Sequence, residues 1–545
     1  MPLLVATEQA GTTKKRLNRK ISYFLLITIL LLFFRSASQV LPFVKKYGAD
    51  YAERIDSFTS STANIVLPST AKSNDDNDIN FKMWKESEHN RRQAKIARSK
   101  EIIPDWMTDY LVWHREQREK LRNRNNINNN NNNNNTNTTG AGDVDDDIKF
   151  LVVRCLEGEI CGGLSDRLKP TPFYLMMANL AHRVLLIHWK KPTDLEHFLL
   201  PPPANGLDWR VEGTGITIEE IRNNTNFFNG HASSLSTTVR ELIGVKSGRE
   251  NMVQAKVLNI LLDGGQFIHE AWDLFNRWRK EPGQRELYKG AYLGWSKNAT
   301  DAGLIDHDLS QDVYRILFEP SPEIQRAIYA KLSNLDILGR EYNTVHVRAK
   351  DPRIIPDDVA LEWTRQRASD PDAYVHPYKL SQQKLKMDMT EEFVYGEKMK
   401  SFLVGLYSNA LACVDRMSPG THLPIYLASD SSFGEYMQNI STLPIRASSS
   451  SSSTSTSTWG NSTTHADPLH IDANEYQGRD PSHFYQAFVD MYIMANATCL
   501  SRGSGGFGLL PIRIGGVTCT LIHTKTVCAD PPRTAENGTS VVPDK

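Results

Sequence analysis

The stretch FLVVRCLEGEICGGLSDRLKPTPFYLMMANLAHRVLLI, residues 150–187, decides the fold class. Phe150 to Val153 is an unbroken apolar run, as a strand buried on both faces requires. A glycine-containing loop follows. Apolar residues then recur at helical spacing from Pro172 to His182, and Val184 to Ile187 is a second apolar run. Strand, loop, helix, strand is the grammar of a βαβ unit and of an α/β domain with a parallel sheet.

The same grammar returns further on. Thr344 to Val347 and Ile425 to Ala428 predict strands, with helical spacing through Glu391 to Ala412 between them. Phe484 to Ala497 predicts a helix, Thr498 to Leu500 a strand, and Leu509 to Ile514 a helix opening after glycines. Two α/β domains are expected, at 147–340 and 341–531. The second carries a Ser/Thr-rich surface insert at 447–464, and a tail runs from 532 to 545.

Upstream of the fold the chain reads as an address. Ile21 to Phe34 carries no charge, and Lys14, Lys15, Arg16, Arg19 and Lys20 precede it. Positive charge before an apolar run leaves the N-terminus in the cytosol and sends the rest across the membrane. The run covers roughly 21 Å as a helix, short of a ~30 Å hydrocarbon core, and Val40 to Val44 can extend it. The expectation is a cytosolic tail at 1–20 and a single-pass signal-anchor at 21–44, type II, in the Golgi or ER membrane. A signal peptide cut near Ser36-Ala37-Ser38 is the rival reading.

Eight N-x-S/T triplets suit a luminal location, with Asn223, Asn298, Asn439, Asn461 and Asn537 as the N-glycosylation candidates. Asn134, Asn137 and Asn496 start the others. Residues 45–146 read as a stem that ends in a nearly pure asparagine run at 125–137. Such a run cannot bury apolar surface and is expected to be a flexible linker. Within the stem, Trp106, Tyr110 and Trp113 fall at i, i+4 and i+7, predicting a helix with an aromatic packing face.

Composition excludes several classes. The 545 residues hold 63 Lys+Arg and 63 Asp+Glu, so a nucleic-acid binder working by bulk charge is ruled out. The balance is uneven: residues 1–146 hold 22 basic and 17 acidic side chains, the remainder 41 and 46. An anionic ligand of the mildly acidic folded part must therefore be held by a few placed groups. Six cysteines are too few for a disulfide scaffold. Cys155 and Cys161 bracket a tight loop and Cys519 and Cys528 a hairpin. Cys413 and Cys499, each after a helix, could also meet, and the pairing stays open. Asp143, Asp145 and Asp147 suggest a metal loop, but Ile148 and Arg154 stand where an EF-hand needs Gly and Glu. They read as a solvated linker, and no metal site is expected.

Four loops carry candidate chemistry. CGGLSDRL (161–168) follows a strand and opens a helix, where Gly162 and Gly163 allow close backbone approach and Asp166 and Arg167 offer polar contacts. HVRAKD (346–351) places His346 and Arg348 on one side of a strand end, with Asp351 in the loop beyond. An arginine there can hold a diphosphate bidentately. IYLASD (425–430) ends a strand on Asp430, whose carboxylate could accept two N–H bonds from a guanine edge or cap the next helix. SRGSGGFG (501–508) offers Ser504, Gly505, Gly506, Phe507 and Gly508 as a phosphate cradle, without the lysine of a P-loop ATPase.

In this order the four motifs resemble the fucosyltransferase superfamily of α1,6-, α1,2- and protein O-fucosyltransferases, over roughly residues 147–530. The resemblance implies an α/β GT-B fold, two Rossmann-like domains facing across a cleft. It implies transfer of fucose from GDP-fucose, without metal or other cofactor, to a glycan or glycoprotein acceptor with inversion at the anomeric centre. Arg348 would hold the diphosphate and stabilise the departing GDP, with His346 supporting it. Asp430 would read guanine, and Ser504 with Gly505 to Gly508 would cradle phosphate. Gly162, Gly163, Asp166 and Arg167 would line the cleft from the first domain. Asp351 matches the family's H-x-R-x-x-D, but Pro352 follows where the α1,6 enzymes have lysine. Candidate general bases are Asp351, Asp357, Asp358 and Glu362. The alternatives are a GT-B transferase for another nucleotide sugar and a non-catalytic luminal glycan-binding module.

Overall fold

In the computed structural model, the described residues are chiefly 74–100, 105–133, 148–223, 256–261, 310–366, 377–389, 396–431 and 478–529, with short pieces between and single positions omitted. The expected anchor, most of the Ser/Thr-rich insert and the glycosylation candidates other than Asn223 lie outside them. Asn223 is exposed, at the end of a short helix. Among the described residues no helix is long and apolar enough to cross a membrane.

In chain order the elements are α1 (Asn74–Lys100), α2 (Asp105–Asn133), β1 (Phe150–Cys155), α3 (Leu164–Leu168), α4 (Thr171–Leu180), β2 (Val184–Trp189), β3 (Leu199–Leu200), α5 (Ile218–Asn223), β4 (Phe227–Phe228), β5 (Val257–Leu261), α6 (Ser310–Leu317), β6 (Glu319–Pro320) and α7 (Pro322–Asn334). After these come β7 (Asn343–Val347), α8 (Asp357–Gln366), α9 (Pro377–Met389), β8 (Glu392–Phe393), α10 (Glu397–Met417), β9 (Ile425–Ser429), β10 (Ile445–Ala447), β11 (His465–Ala466), α11 (Tyr485–Ala495), β12 (Cys499–Arg502), α12 (Leu509–Gly515), β13 (Cys519–His523) and β14 (Cys528–Ala529).

The protein is a mixed α/β structure on two parallel sheets. One runs β2-β1-β5-β4, parallel throughout. The other runs β10-β9-β7-β12-β13-β14, antiparallel only at the β13–β14 edge. Both β1 and β2 are buried along their whole length, as their apolar runs require. In the second sheet the pleat divides the faces. Val345, Val347, Ile425 and Leu427 join one core with α8 and α10, while Tyr426, Ala428 and Leu500 face the other. That other core is continuous with Leu151 and Val153 of β1, with α4, α6 and α7, and with Phe488 to Met494 of α11. The strands before residue 340 and those after it form separate sheets, but the core between them is shared.

Both sheets reverse direction of growth at their first strand. From β1 the chain adds β2 on one side and β5 on the other; from β7 it adds β9 on one side and β12 on the other. At such switch points the connecting loops part and leave a crevice beyond the carboxyl ends of the strands.

The region expected to be stem and linker is corrected in part. Helix α2 docks on β2, the edge strand of the first sheet. The Tyr110 hydroxyl donates to the carbonyl of Arg183 at 2.9 Å and accepts from the Leu185 N–H at 3.1 Å, and His114 Nε2 lies 3.2 Å from the Leu185 carbonyl. Polar groups that an edge strand would otherwise expose are thereby satisfied. Trp106, Met107 and Tyr110 are buried in the main core, so the aromatic face packs as its spacing predicts. Arg118 ties the helix to the 208–212 segment through Asp208 and the carbonyls of Arg210 and Glu212. Helix α2 also continues to Asn133, into the run expected to be a flexible linker. Adding residues to a formed helix costs far less than nucleating one, which lets poor helix formers extend it. Helix α1 packs Phe81 and Trp84 against Tyr329 of α7, at 5.4 and 5.5 Å between rings.

Two further expectations change. The helix expected from Glu391 begins at Glu397, after a separate α9, with Gly396 at its N-cap. The disulfides are Cys155–Cys161, Cys413–Cys528 and Cys499–Cys519. Cys499 and Cys519 are register partners on adjacent strands, which takes Cys499 away from Cys413. Helix α10 instead runs along the β13–β14 turn, where Asn409 donates to the carbonyls of Thr524 and Val527 and Arg416 to that of Cys528.

Candidate functional site

The four sequence motifs converge on one cleft of about 720 Å³. From the first sheet come Gly163, Ser165, Asp166 and Lys169, beyond β1. From the second come His346, Arg348, Lys350 and Asp351 after β7, Asp430 after β9, and Gly505, Gly506 and Phe507 after β12. Helix α11 closes one side with Ala487 and Asp490. Three adjacent parallel strands thus end on it, at the switch point of the second sheet.

The β7 loop is organised by Asp430. Its carboxylate accepts from the Ala349 N–H at 2.6 Å and the Lys350 N–H at 3.2 Å, and lies 3.1 Å from Arg348 Nε. A charged acceptor shared by two backbone donors and a guanidinium fixes both the loop and the arginine. Asp430, expected to read guanine, lines the cleft with its carboxylate engaged by the arginine and the arginine's loop. Arg348 keeps about a fifth of its side chain exposed at the cleft.

Asp351 pairs with Arg353 rather than Arg348. Its Oδ1 accepts from the Arg353 N–H and Nε, both at 2.9 Å, and its Oδ2 from Nη2 at 2.6 Å. Asp351 is buried and Arg353 largely exposed. The other base candidates do not line the cleft: Asp357 pairs with Lys384, Asp358 with Lys398, and Glu362 accepts from the first N–H groups of α10.

His346 is buried under the glycine loop, its ring 5.2 Å from that of Phe507. Burial first, then the nearby charges of Arg348, His523 and Arg502, lowers its pKa to about 3, so the ring is neutral. A Cβ on Gly508 would lie 2.9 Å from both His346 Nδ1 and Arg502 Cβ, so only glycine lets the loop pack this closely. Gly505 has φ +94°, a conformation that favours glycine. Ser504 lies outside the described residues.

The first-sheet motif divides by role. Gly162 adopts φ +71°, and the Gly163 N–H donates to Asp166 Oδ2 at 3.3 Å. Arg167 is corrected from cleft lining to structural. It is buried, donates to the carbonyls of Gly162 at 2.8 Å, Lys191, and Ile471 at 3.3 Å, and its guanidinium stacks 5.4 Å from the Trp189 ring centre. The Cys155–Cys161 disulfide and Glu159, which accepts from Arg154 and the Leu156 N–H, brace the preceding loop.

Sequence reasoning missed Ser165, Lys169, Lys350 and Asp490. Asp490 had a signal: it is the lone acid in the apolar YQAFVDMYIMA helix, where an ionisable group needs partners. It accepts from the Tyr426 hydroxyl and from Gln486. Ser165 and Lys169 stand in or beside a motif whose glycines, Asp166 and Arg167 carry the more evident chemistry. Among the described residues no cluster of His, Cys, Asp and Glu suited to a metal is present.

No protein-family model matches the chain, and no curated protein matches it in sequence. Solved structures similar to it include Arabidopsis thaliana FUT1, an arginine-to-lysine mutant in complex with GDP, with 12% identity, 78% of this chain and 81% of that one covered, and a TM-score of 0.40. NodZ α-1,6-fucosyltransferase soaked with GDP-fucose is similar at 14% identity, covering 69% and 94%, with a TM-score of 0.33. The fucosyltransferase NodZ from Bradyrhizobium is similar at 13%, covering 69% and 95%, with a TM-score of 0.33.

Proposed function

We propose that the protein is a glycosyltransferase that moves fucose from GDP-fucose to a hydroxyl of a glycan or glycoprotein, with inversion and without a metal. The observation that supports it is the meeting of Arg348, His346 and the Gly505–Phe507 loop at the ends of neighbouring parallel strands, opposite Gly163 to Asp166. The finer architecture proposed is GT-B, with domains at 147–340 and 341–531.

The chemistry follows from the cleft. The acceptor hydroxyl attacks the anomeric carbon as the bond to the diphosphate breaks, and negative charge grows on departing GDP. Arg348, oriented by Asp430, faces that charge, and the glycine loop offers backbone N–H groups. A guanidinium held in place before the reaction need not reorganise as charge develops. Asp351 is the base candidate that lines the cleft, and Arg353 must share it with the incoming hydroxyl. The basic tail and apolar run at the N-terminus support a type II anchor with the cleft in the Golgi or ER lumen.

A second reading is a transferase for another nucleotide sugar, since Asp430 also binds Arg348 and its loop and so is not committed to one base. Both readings are tested by incubating the full chain with a panel of nucleotide sugars, with and without EDTA. Release of GDP from GDP-fucose that survives EDTA supports the first. Turnover of a different donor alone replaces it with the second.

A further inference from the structure

Resting on the nucleotide-sugar reading, we propose that Ser165 and Lys169 form the first-sheet half of the diphosphate subsite, closing over the terminal phosphate from the side opposite Arg348. No motif singles out either residue for this role.

Ser165 is the first observation. It is 6% exposed, and its Oγ finds no hydrogen-bond partner among the described residues. A buried hydroxyl left in that state forfeits the water it gave up, so a ligand oxygen is the partner that would repay it. Its position is telling. A Cβ on Gly506 would lie 2.5 Å from Ser165 Oγ, so the glycine loop of the second sheet runs directly against this hydroxyl. Only a residue without a side chain can approach so closely.

Lys169 is the second. The same Cβ position on Gly506 is 3.9 Å from Lys169 Nζ, and Lys169 lines the cleft. Burial first, and the charge of Arg513 further, disfavour its ammonium, while Asp166 favours it. A cation held at a desolvation cost beside a glycine loop gains most from an anion. Ser165 and Lys169 are four residues apart and so share a side of the α3 turn. A hydroxyl donor and an ammonium then face Gly506 from one sheet, and Arg348 lines the cleft from the other. The ligand chemistry that fits is a nucleoside diphosphate, whose second phosphate supplies the oxygens. A nucleoside monophosphate would leave this half unfilled.

The test is calorimetric titration of GDP and GMP into the full chain in detergent, for wild type, Ser165→Ala, Lys169→Met, Lys169→Arg and Arg348→Ala. Melting temperatures are taken alongside. The expected result is a GDP affinity lowered about tenfold in Ser165→Ala and at least as much in Lys169→Met. GMP affinity is unchanged in both, and Lys169→Arg recovers most of the loss. Wild-type GDP binding that needs Arg348 but is untouched by Ser165→Ala and Lys169→Met would overturn this subsite and leave the nucleotide-sugar reading standing. Equal loss of GDP and GMP in the variants would overturn it as well, marking a structural role. A wild-type chain that binds neither nucleotide sinks the underlying reading and the subsite together.

Discussion

Arg348 Nε sits 3.1 Å from Asp430 Oδ2, and the same carboxylate accepts the next two backbone N–H groups after the arginine. One acid just beyond β9 therefore sets both the aim of the guanidinium and the shape of its loop. Arg348→Ala is expected to lower kcat/KM about 1,000-fold, to a residual rate that can still be measured. Asp430→Asn, which keeps the shape but loses the charge, should lower kcat/KM about 10- to 100-fold through a misplaced arginine. The double variant should be no worse than Arg348→Ala alone, because the two act as one unit. Initial-rate kinetics check this, and additive losses would mean that Asp430 acts independently of Arg348.

Gly508→Ala places a methyl 2.9 Å from His346 Nδ1 and Arg502 Cβ. Both neighbours belong to the paired strands β7 and β12, so the loop must shift. A loss of roughly 1–3 kcal/mol in stability is expected, as for other overpacked sites, together with weaker nucleotide binding. Urea unfolding and GDP titration measure the two. An unchanged midpoint would show that the loop relaxes freely.

Acid should destabilise the protein through its buried histidines. His346 and His523 have pKa values lowered to about 3, and His114 and His188 to about 4, in each case chiefly by burial. Their unfolded value is about 6.5, so between these limits the unfolded chain binds protons that the folded one does not. Stability is then present above about pH 6.5 and falls as pH drops toward 3. The urea midpoint should decline from pH 7 to pH 5, and His346→Gln should show a smaller decline than wild type. An equal decline in the two would remove His346 from the account.

Arg167→Ala should cost several kcal/mol, since two buried carbonyls and one half-buried carbonyl lose this donor, at roughly 1–3 kcal/mol for each buried one. Lys169→Met, two residues on, should leave the melting temperature within a few degrees. Thermal denaturation of the two side by side separates the structural cation of the motif from the one at the cleft.

Truncation tests the docking of α2. A fragment starting at residue 74 should fold, and one starting at 140 should not, because Trp106, Met107 and Tyr110 are removed from the core and the β2 edge is uncovered. Yield of soluble protein and circular dichroism report the outcome. A folded fragment from 140 would return α2 to the role of a spacer.

Local patterning along the chain determined much of this. Apolar runs at 150–153, 184–187 and 425–428 are strands because four consecutive apolar side chains can be hidden only inside a sheet covered on both faces, and Thr344 to Val347 alternates two valines with polar residues. The glycine clusters and charged residues at their ends likewise marked the loops of the cleft. Tertiary structure decided the partners. Asp430 pairs with Arg348, Asp351 with Arg353 and Cys413 with Cys528, and Arg167 turns inward while Ser165 and Lys169 meet Gly506. Each of these choices depends on which strand lies beside which and which helix crosses behind them. Spacing along one chain specifies the face a side chain takes, but the group that meets it there comes from a distant segment brought in by packing.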